Sequence, residues 1–158
     1  MSAPFLPRKT LPHDIPSWVQ QGALYYISFN VANRPEKPLI APLIANALLQ
    51  GLVDYEHIHR WYIRLAVVMP DHIHMIATFN LREEVKKTVC SWRAYHARKL
   101  GLDWQKDFFE HRLRSENSLE EKSFYIRMNP VRQGLCTVPE QWPYIIDRMN
   151  IDEGKLEK

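Results

Sequence analysis

A chain of 158 residues with 46% apolar and 25% charged side chains has enough material to bury the core of one domain. No segment approaches the roughly 18 consecutive apolar residues of a membrane-spanning helix, and the N-terminus lacks the apolar stretch of a secretory signal. The two cysteines, Cys90 and Cys136, have no CxxC spacing, so the sequence indicates neither a disulfide framework nor a zinc knuckle and fits a reducing cytoplasm.

The net charge of +3 is distributed unevenly. Residues 82–132 contain twelve Lys and Arg against eight Asp and Glu, whereas residues 133–158 contain three against five. This local excess is compatible with a polyanion partner, and it coincides with the segment YIRMNPVRQGL that begins at Tyr125. An ordinary solvated surface would explain the same charges.

The first half of the chain predicts an arm, a strand, a helix and a hairpin. Residues 1–21 are polar and proline-rich, which is typical of an arm lying over the surface. The aromatic and β-branched run 24–31 predicts a strand, and apolar residues at helical spacing predict a helix over 42–58. Strands are then predicted over 61–70 and 72–79, joined by a tight Pro-Asp connection as a hairpin.

The second half predicts two helices around a short strand. Residues 82–100 carry acidic residues early and basic residues late, as the helix dipole favours. A strand is predicted over 107–114. Ser118 and Glu121 form a capping box that predicts the start of the last helix, which Pro130 is expected to kink or interrupt.

The predicted order is β-α-β-β-α-β followed by one more helix. This is the ferredoxin-like order of the α+β class, an α/β sandwich whose helices pack on an antiparallel sheet. We therefore expect an arm over 1–21, a domain over 22–140 and a C-terminal tail over 141–158. The additional C-terminal helix would carry Tyr125.

His72 and His74 occupy alternate positions of the predicted strand 72–79, so their side chains share one face. Two imidazoles side by side suit a metal such as Mn²⁺ or Zn²⁺, although a His-x-His pair also arises by chance. A second pair, His57 and His59, falls at a predicted helix end, where residues i and i+2 face apart. We interpret that second pair as structural.

Tyr125 and Asn129 are one turn apart on the predicted last helix and share a face. A tyrosine hydroxyl becomes a nucleophile when an electrophile is polarised and held in line with it. Taken singly, each residue has a structural alternative, as a packing tyrosine or as an asparagine that ends a helix. Apolar residues at helical spacing predict a packing stripe beside them, formed by Phe124, Met128, Val131 and Leu135.

Three segments together resemble a known family: PDHIH on an apolar strand, then FFEHRLRS, then SLEEKSFYIRMNPVRQGL. They are similar to the single-tyrosine HUH transposases, and among these to the REP-associated tyrosine transposases, relatives of insertion-sequence transposases. The resemblance runs from Leu24 to Tyr144. It implies a ferredoxin-like sandwich, in agreement with the predicted order of elements.

The resemblance also implies roles residue by residue. His72 and His74 match histidines that ligate a divalent cation, Mg²⁺ or Mn²⁺, Tyr125 matches the nucleophile, and Asn129 matches a third, polar ligand. The implied reaction cleaves and rejoins single-stranded DNA near REP-like hairpins through a 5′-phosphotyrosine intermediate. Because one phosphodiester replaces another, such a step is close to energy-neutral and needs no ATP.

Basic side chains are candidates for contact with the DNA backbone, and aromatic ones for base stacking. The backbone candidates are Arg93, Arg98, Lys99, Arg112, Arg114 and Arg132, with Arg8 and Lys9 from the arm. The stacking candidates are Trp92, Trp104 and Phe109. For each of them the alternative is a solvated charge or a core aromatic.

Three functions remain open at this point. The first is the metal-dependent tyrosine transesterase, and the second is a regulatory protein that binds DNA hairpins without cleaving them. The third is an unrelated metal hydrolase that pairs the two histidines with a carboxylate such as Asp71. The pattern favours a monomer over a dimer that exchanges the tyrosine helix.

Overall fold

Five strands form one sheet in this computed structural model, which describes residues 16–20, 22–32 and 38–149. The strands are β1 (Ala23–Asn30), β2 (Trp61–Val68), β3 (His72–Phe79), β4 (Phe109–Arg112) and β5 (Ile145–Asp147). The helices are α1 (Pro42–His57), α2 (Val85–Leu100) and α3 (Glu116–Arg132). The sheet order is β4-β1-β3-β2-β5, and every neighbouring pair is antiparallel. None of the described helices combines the length and apolarity needed to cross a bilayer.

The observed elements confirm a mixed α/β domain in which an antiparallel sheet is followed by a further helix. Several predicted elements were too wide, among them the strand expected over 61–70, which ends at Val68. The helix expected from residue 82 begins at Val85, and the strand expected over 107–114 is limited to β4, because only that stretch pairs with residues 25–28 of β1. Of the predicted arm, the described residues include a short 3-10 helix, Ser17–Gln20, whose Val19 is buried.

Alternate side chains of the central strands supply two separate apolar cores. Ile73 and Met75 of β3 belong to the core that α1 and α2 cover. Ile76 faces the other way and packs in a second core with Ile126 of α3. Because side chains alternate along a strand, His72 and His74 lie on the same face as Ile76. They therefore lie beneath α3.

Helix α3 begins earlier than its predicted capping box. Ser115 is the N-cap, and its side-chain oxygen accepts a hydrogen bond from the backbone nitrogen of Ser118. The predicted cap at Ser118 is thus wrong by one turn. Pro130 lies inside the helix, which continues to Arg132. One missing amide donor near the end of a helix is tolerated when the helix is held by tertiary packing.

The apolar stripe predicted for α3 is wrong. Phe124 is 65% exposed and Leu135 is 41% exposed. The buried side of the helix is instead formed by Ser123, Ile126, Asn129 and Pro130. The helix contributes Ile126 and the partly buried Leu119 to the core beneath it, and it buries the polar side chains of Ser123 and Asn129. None of these is a residue of the predicted stripe.

Residues 142–149 pack onto the domain, which corrects the expectation of a tail from residue 141. The indole of Trp142 is buried and donates to the carbonyl of Val68, at 3.1 Å. Strand β5 then pairs with β2. Asp147 accepts two hydrogen bonds from Arg127 of α3, at 2.7 and 2.9 Å. This segment therefore ties α3 to the edge of the sheet.

Candidate active site

The imidazoles of His72 and His74 meet at the start of β3. Their Nε2 atoms are 2.9 Å apart, and the rings are nearly perpendicular, at 82°. Both side chains project from one face of the strand because they occupy alternate positions. Sequence reasoning predicted this pairing, and the structure brings the two rings together.

Each imidazole is also held at its other nitrogen. Asp71 Oδ1 lies 2.6 Å from His72 Nδ1, and the Tyr26 hydroxyl lies 2.9 Å from His74 Nδ1. The Tyr26 ring also stacks on His74, with centroids 5.8 Å apart at 22°. A hydrogen bond at Nδ1 fixes the ring orientation and leaves Nε2 for a ligand. Tyr26 was missed from the sequence, because only the pairing of β1 with β3 brings it to His74.

Helix α3 brings Asn129 and Tyr125 to the same place. Asn129 is 4% exposed, and its side-chain nitrogen is 3.2 Å from His72 Nε2. The Tyr125 ring lies with its centroid 6.2 Å from that of His74 and is 47% exposed. The residue pairs that sequence analysis singled out on a strand and a helix therefore form one cluster. Tyr125, as the exposed member, lies on the solvent side of this cluster.

The spacing of the polar atoms fits one octahedral cation. Such an ion holds its donors at about 2.1 Å and therefore separates neighbouring donors by about 3.0 Å. The structure gives 2.9 Å between the histidine nitrogens and 3.2 Å between His72 and the Asn129 amide. A half-turn of that amide presents its oxygen in place of its nitrogen. Among the described residues, no three His, Cys, Asp or Glu side chains are arranged so that they could hold a metal ion, so the Asn129 amide would be the third ligand.

Electrostatics hold His74 in the form that binds metals. Burial, with smaller effects of His72, Lys122 and Arg132, lowers the pKa of His74 to about 3. The imidazole is therefore neutral at pH 7, and a metal ligand must be unprotonated. Burial also raises the pKa of Tyr26, so its hydroxyl keeps its proton at pH 7.

Two cations flank the Tyr125 ring. Lys122 Nζ lies 5.3 Å from the ring centroid, and the guanidinium carbon of Arg132 lies 4.2 Å from it. Arg132 also donates a hydrogen bond to the Tyr125 carbonyl. Arg132 was among the predicted DNA contacts. Lys122 was not, and its place three residues before Tyr125, one helical turn away, was the available signal.

Two of the predicted DNA contacts are buried instead. Trp92 is fully buried in the core beneath α2, so its ring cannot stack on a base. Arg93 is 7% exposed and donates to the carbonyls of Gln105 and Lys106, at 2.8 and 3.1 Å, so its charge anchors a loop. The helical spacing of Val85, Val89, Trp92 and His96 was the signal for this core position.

The remaining candidates lie in several places, and their roles in DNA contact stay predictions. Trp104 is partly buried, and its indole donates to the Arg93 carbonyl. Phe109 is 56% exposed, with its ring 5.7 Å from that of Tyr26. Arg98 and Lys99 are exposed on α2, which covers the face opposite His72 and His74. Arg112 and Arg114 are exposed at and just beyond β4, and Arg8 and Lys9 lie outside the described residues.

Two curated proteins that are similar to this chain carry the same family name. No family model matches the chain. The REP-associated tyrosine transposase of Escherichia coli K12 is 26% identical over 142 residues, which are 85% of this chain and 82% of that protein. A second curated relative, from Haemophilus influenzae, has the same family name and is 29% identical over 97 residues, 49% of this chain and 53% of its own.

A solved structure gives the same likeness at the level of the fold. The structure of a REP-associated tyrosine transposase bound to a REP hairpin superposes with a TM-score of 0.72, at 23% identity, over 84% of this chain and 81% of the other. The resemblance found in the sequence is thus confirmed: over most of its length, this chain is similar to REP-associated tyrosine transposases.

Proposed function

We propose that this protein is a metal-dependent transesterase that cleaves and rejoins single-stranded DNA near hairpins, with Tyr125 as the nucleophile. The observation that carries the proposal is the cluster itself. Tyr125 and Asn129 come from α3, more than fifty residues beyond the paired histidines of β3, yet all four side chains meet. Similarity to REP-associated tyrosine transposases, one of them bound to a REP hairpin, supports DNA as the substrate.

The residues that would hold the cation are His72 and His74 through Nε2 and Asn129 through its amide oxygen. A Mg²⁺ or Mn²⁺ ion bound there would act as a Lewis acid on the scissile phosphate and as a template for it. Asp71 and Tyr26 would keep the two imidazoles in place.

Tyr125 supplies the covalent chemistry. Its hydroxyl oxygen bonds to phosphorus while the bond from phosphorus to the 3′-oxygen breaks, and the phenolic proton is balanced by the proton that the 3′-oxygen gains. The products are a 5′-phosphotyrosine and a free 3′-hydroxyl. Because a phosphodiester is exchanged for a phosphodiester, the 3′-hydroxyl of the same or another strand can reverse the step.

The two tyrosines near His74 differ in their suitability as nucleophile. Tyr26 is 6% exposed, and its hydroxyl is bonded to His74. Tyr125 is 47% exposed, so a DNA strand can approach its hydroxyl. Exposure therefore supports Tyr125 as the group that attacks and Tyr26 as the group that orients the ligand.

The fold supports a site that works within one chain. The β-α-β-β-α-β order and the sheet order β4-β1-β3-β2 support the ferredoxin-like classification. Helix α3 packs on its own sheet through Ile126 and is tied to β5 by Arg127 and Asp147. All four expected residues thus come from a single polypeptide, and we propose a monomer as the active form.

The two alternatives differ in what supports them. A hydrolase with Asp71 as a third ligand is poorly supported, because Asp71 bonds to His72 Nδ1, on the side of the ring away from His74. A regulatory protein that binds hairpins without cleaving them would keep the fold but would have no need of an exposed tyrosine beside two paired imidazoles.

The direct experiment uses single-stranded hairpin DNA from repeats near the gene, labelled at either end and incubated with the protein and Mn²⁺. We expect a protein-linked fragment joined through its 5′-phosphate and a free fragment with a 3′-hydroxyl. The Tyr125→Phe variant should bind the same DNA and form neither. Tight binding without cleavage by the wild-type protein would favour the regulatory alternative, and cleavage by Tyr125→Phe would favour a hydrolase.

A further inference from the structure

Lys122 lies one turn before Tyr125 on α3, and its ammonium group stands over two aromatic rings of the candidate site. Nζ is 4.4 Å from the centroid of the Tyr26 ring and 5.3 Å from that of Tyr125. Tyr26 in turn is bonded to His74 Nδ1. The positive charge is therefore held beside both the expected nucleophile and the support of a histidine ligand.

Among the residues that the structure describes, no acidic side chain forms an ion pair with Lys122. Side chains three and four positions away on a helix are its natural partners, and here they are Ser118, Leu119, Tyr125 and Ile126. In the part of the chain that the structure describes, Lys122 makes ring contacts and neither a hydrogen bond nor an ion pair. A cation held against aromatic faces without a counter-charge is suited to receive an anionic ligand.

Arg132, on the same helix, has a different role. Its guanidinium donates to the Tyr125 carbonyl and lies 4.2 Å from the Tyr125 ring, so it is already engaged in holding that part of the helix. The ammonium of Lys122 has no such bond. A lysine head group with three donors on a flexible stem can follow a phosphate that approaches Tyr125.

We propose, building on the function proposed above, that Lys122 is a catalytic residue that donates a hydrogen bond to a non-bridging oxygen of the scissile phosphate. As the Tyr125 oxygen bonds to phosphorus and the 3′-oxygen leaves, negative charge gathers on the non-bridging oxygens beside Nζ. Lys122 transfers no proton and acts by its positive charge and by hydrogen bonding alone. The proton lost by the Tyr125 hydroxyl is balanced by the proton that the 3′-oxygen gains.

The experiment compares Lys122→Met and Lys122→Arg with Lys87→Met, the same exchange on α2, where Lys87 is exposed and paired with Glu84. Cleavage of labelled hairpin DNA is measured in Mn²⁺ at saturating DNA. Binding is measured separately as a function of salt with each exchange placed in the Tyr125→Phe background, which prevents cleavage and keeps the ring under Lys122. Thermal unfolding of each variant shows whether the fold is retained.

We expect Lys122→Met to lower the cleavage rate at saturation by about a hundredfold or more, as for the loss of one donor to a developing negative charge. In the binding measurements, Lys122→Met should make the slope of log K against log salt shallower by about 0.7. This is the value for one phosphate contact on a single strand. Lys122→Arg should recover part of the rate, and Lys87→Met should resemble the wild type in both measurements.

A cleavage rate of Lys122→Met within threefold of the wild type would overturn the proposal. So would a lost rate with an unchanged salt slope, because Lys122 would then position Tyr125 without touching phosphate. Failure of the wild-type protein to bind or cleave any hairpin would instead overturn the proposed function, and the role of Lys122 with it.

Discussion

His72 and His74 approach within 2.9 Å at Nε2 while each is held at Nδ1, His72 by Asp71 and His74 by Tyr26. The second hydrogen bond on each ring is therefore part of the site. It fixes the orientation of each imidazole and leaves Nε2 facing the expected cation position.

The first prediction concerns Tyr26→Phe, which keeps the ring that stacks on His74 and removes only the hydroxyl. We expect the dissociation constant for Mn²⁺ to rise by about 10- to 100-fold, the usual cost of losing a group that orients a ligand. Isothermal titration calorimetry measures it. Tyr25→Phe is the matched control, because Tyr25 packs against the core on the opposite face. Equal Mn²⁺ affinities for both variants and the wild type would show that the Tyr26 hydroxyl does not help His74 to bind the metal.

The second prediction concerns the attachment of α3 to β5. Arg127 and Asp147 form a two-pronged ion pair, and both side chains are about one-third exposed. At that exposure, an ion pair contributes about 0.5–1 kcal/mol. We expect Arg127→Ala and Asp147→Ala each to lower the free energy of unfolding by about that amount in urea titrations. The double variant should lose less than the sum of the two. Strict additivity would mean that the two side chains do not interact in solution.

The third prediction concerns Gly51 of α1. A Cβ at this position would lie 2.0 Å from His96 Nε2, and the His96 ring is stacked on Trp92 with centroids 4.0 Å apart. Glycine to alanine normally favours a helix by about 1 kcal/mol. Here we expect Gly51→Ala to lower the free energy of unfolding by about 1–3 kcal/mol, because the overlap forces two packed rings apart.

The matched background for that prediction is His96→Ala, which removes the ring that the new methyl group would strike. In this background, the same Gly51→Ala exchange should raise the free energy of unfolding, since only the helical preference of alanine remains. If Gly51→Ala lowered the free energy of unfolding by a similar amount in both backgrounds, contact with the His96 ring would not be the cause of the destabilisation.

The fourth prediction concerns pH. Burial lowers the pKa of His96 below its usual value, so the folded state keeps the ring neutral while the unfolded chain protonates it near pH 6.5. The stability that this provides is present above about pH 6.5 and is lost as the pH falls below that value. We expect the free energy of unfolding to fall more steeply from pH 7.5 to 5.5 in the wild type than in His96→Gln, by up to about 1.4 kcal/mol per pH unit. Parallel curves for the two proteins would contradict a neutral buried His96.

Much of the site could be predicted because it depends on local periodicity. Two positions on a strand fix the shared face of His72 and His74, and one helical turn fixes that of Tyr125 and Asn129. The meeting of the two pairs came from the resemblance to a family. Nothing in the local pattern shows that α3 lies on the histidine face of the sheet.

What sequence reasoning missed depends on tertiary packing. Tyr26 becomes a partner of His74 only through the pairing of β1 with β3. Strand β5 has three residues, too few for a periodic signal, and exists because it pairs with the edge of β2. Trp92 was interpreted as a stacking surface because an aromatic residue in a basic segment suits both the core and nucleic acid. Its burial under α2 decided between them.

The most direct measurement identifies the residue that becomes joined to DNA. The protein is incubated with hairpin DNA and Mn²⁺, the covalent product is isolated and digested, and the modified peptide is sequenced by mass spectrometry. We expect the nucleotide on Tyr125, linked through a 5′-phosphate, and no adduct in Tyr125→Phe. An adduct on Tyr26 or another residue, or cleaved DNA without any adduct, would contradict the assignment of Tyr125 as the nucleophile.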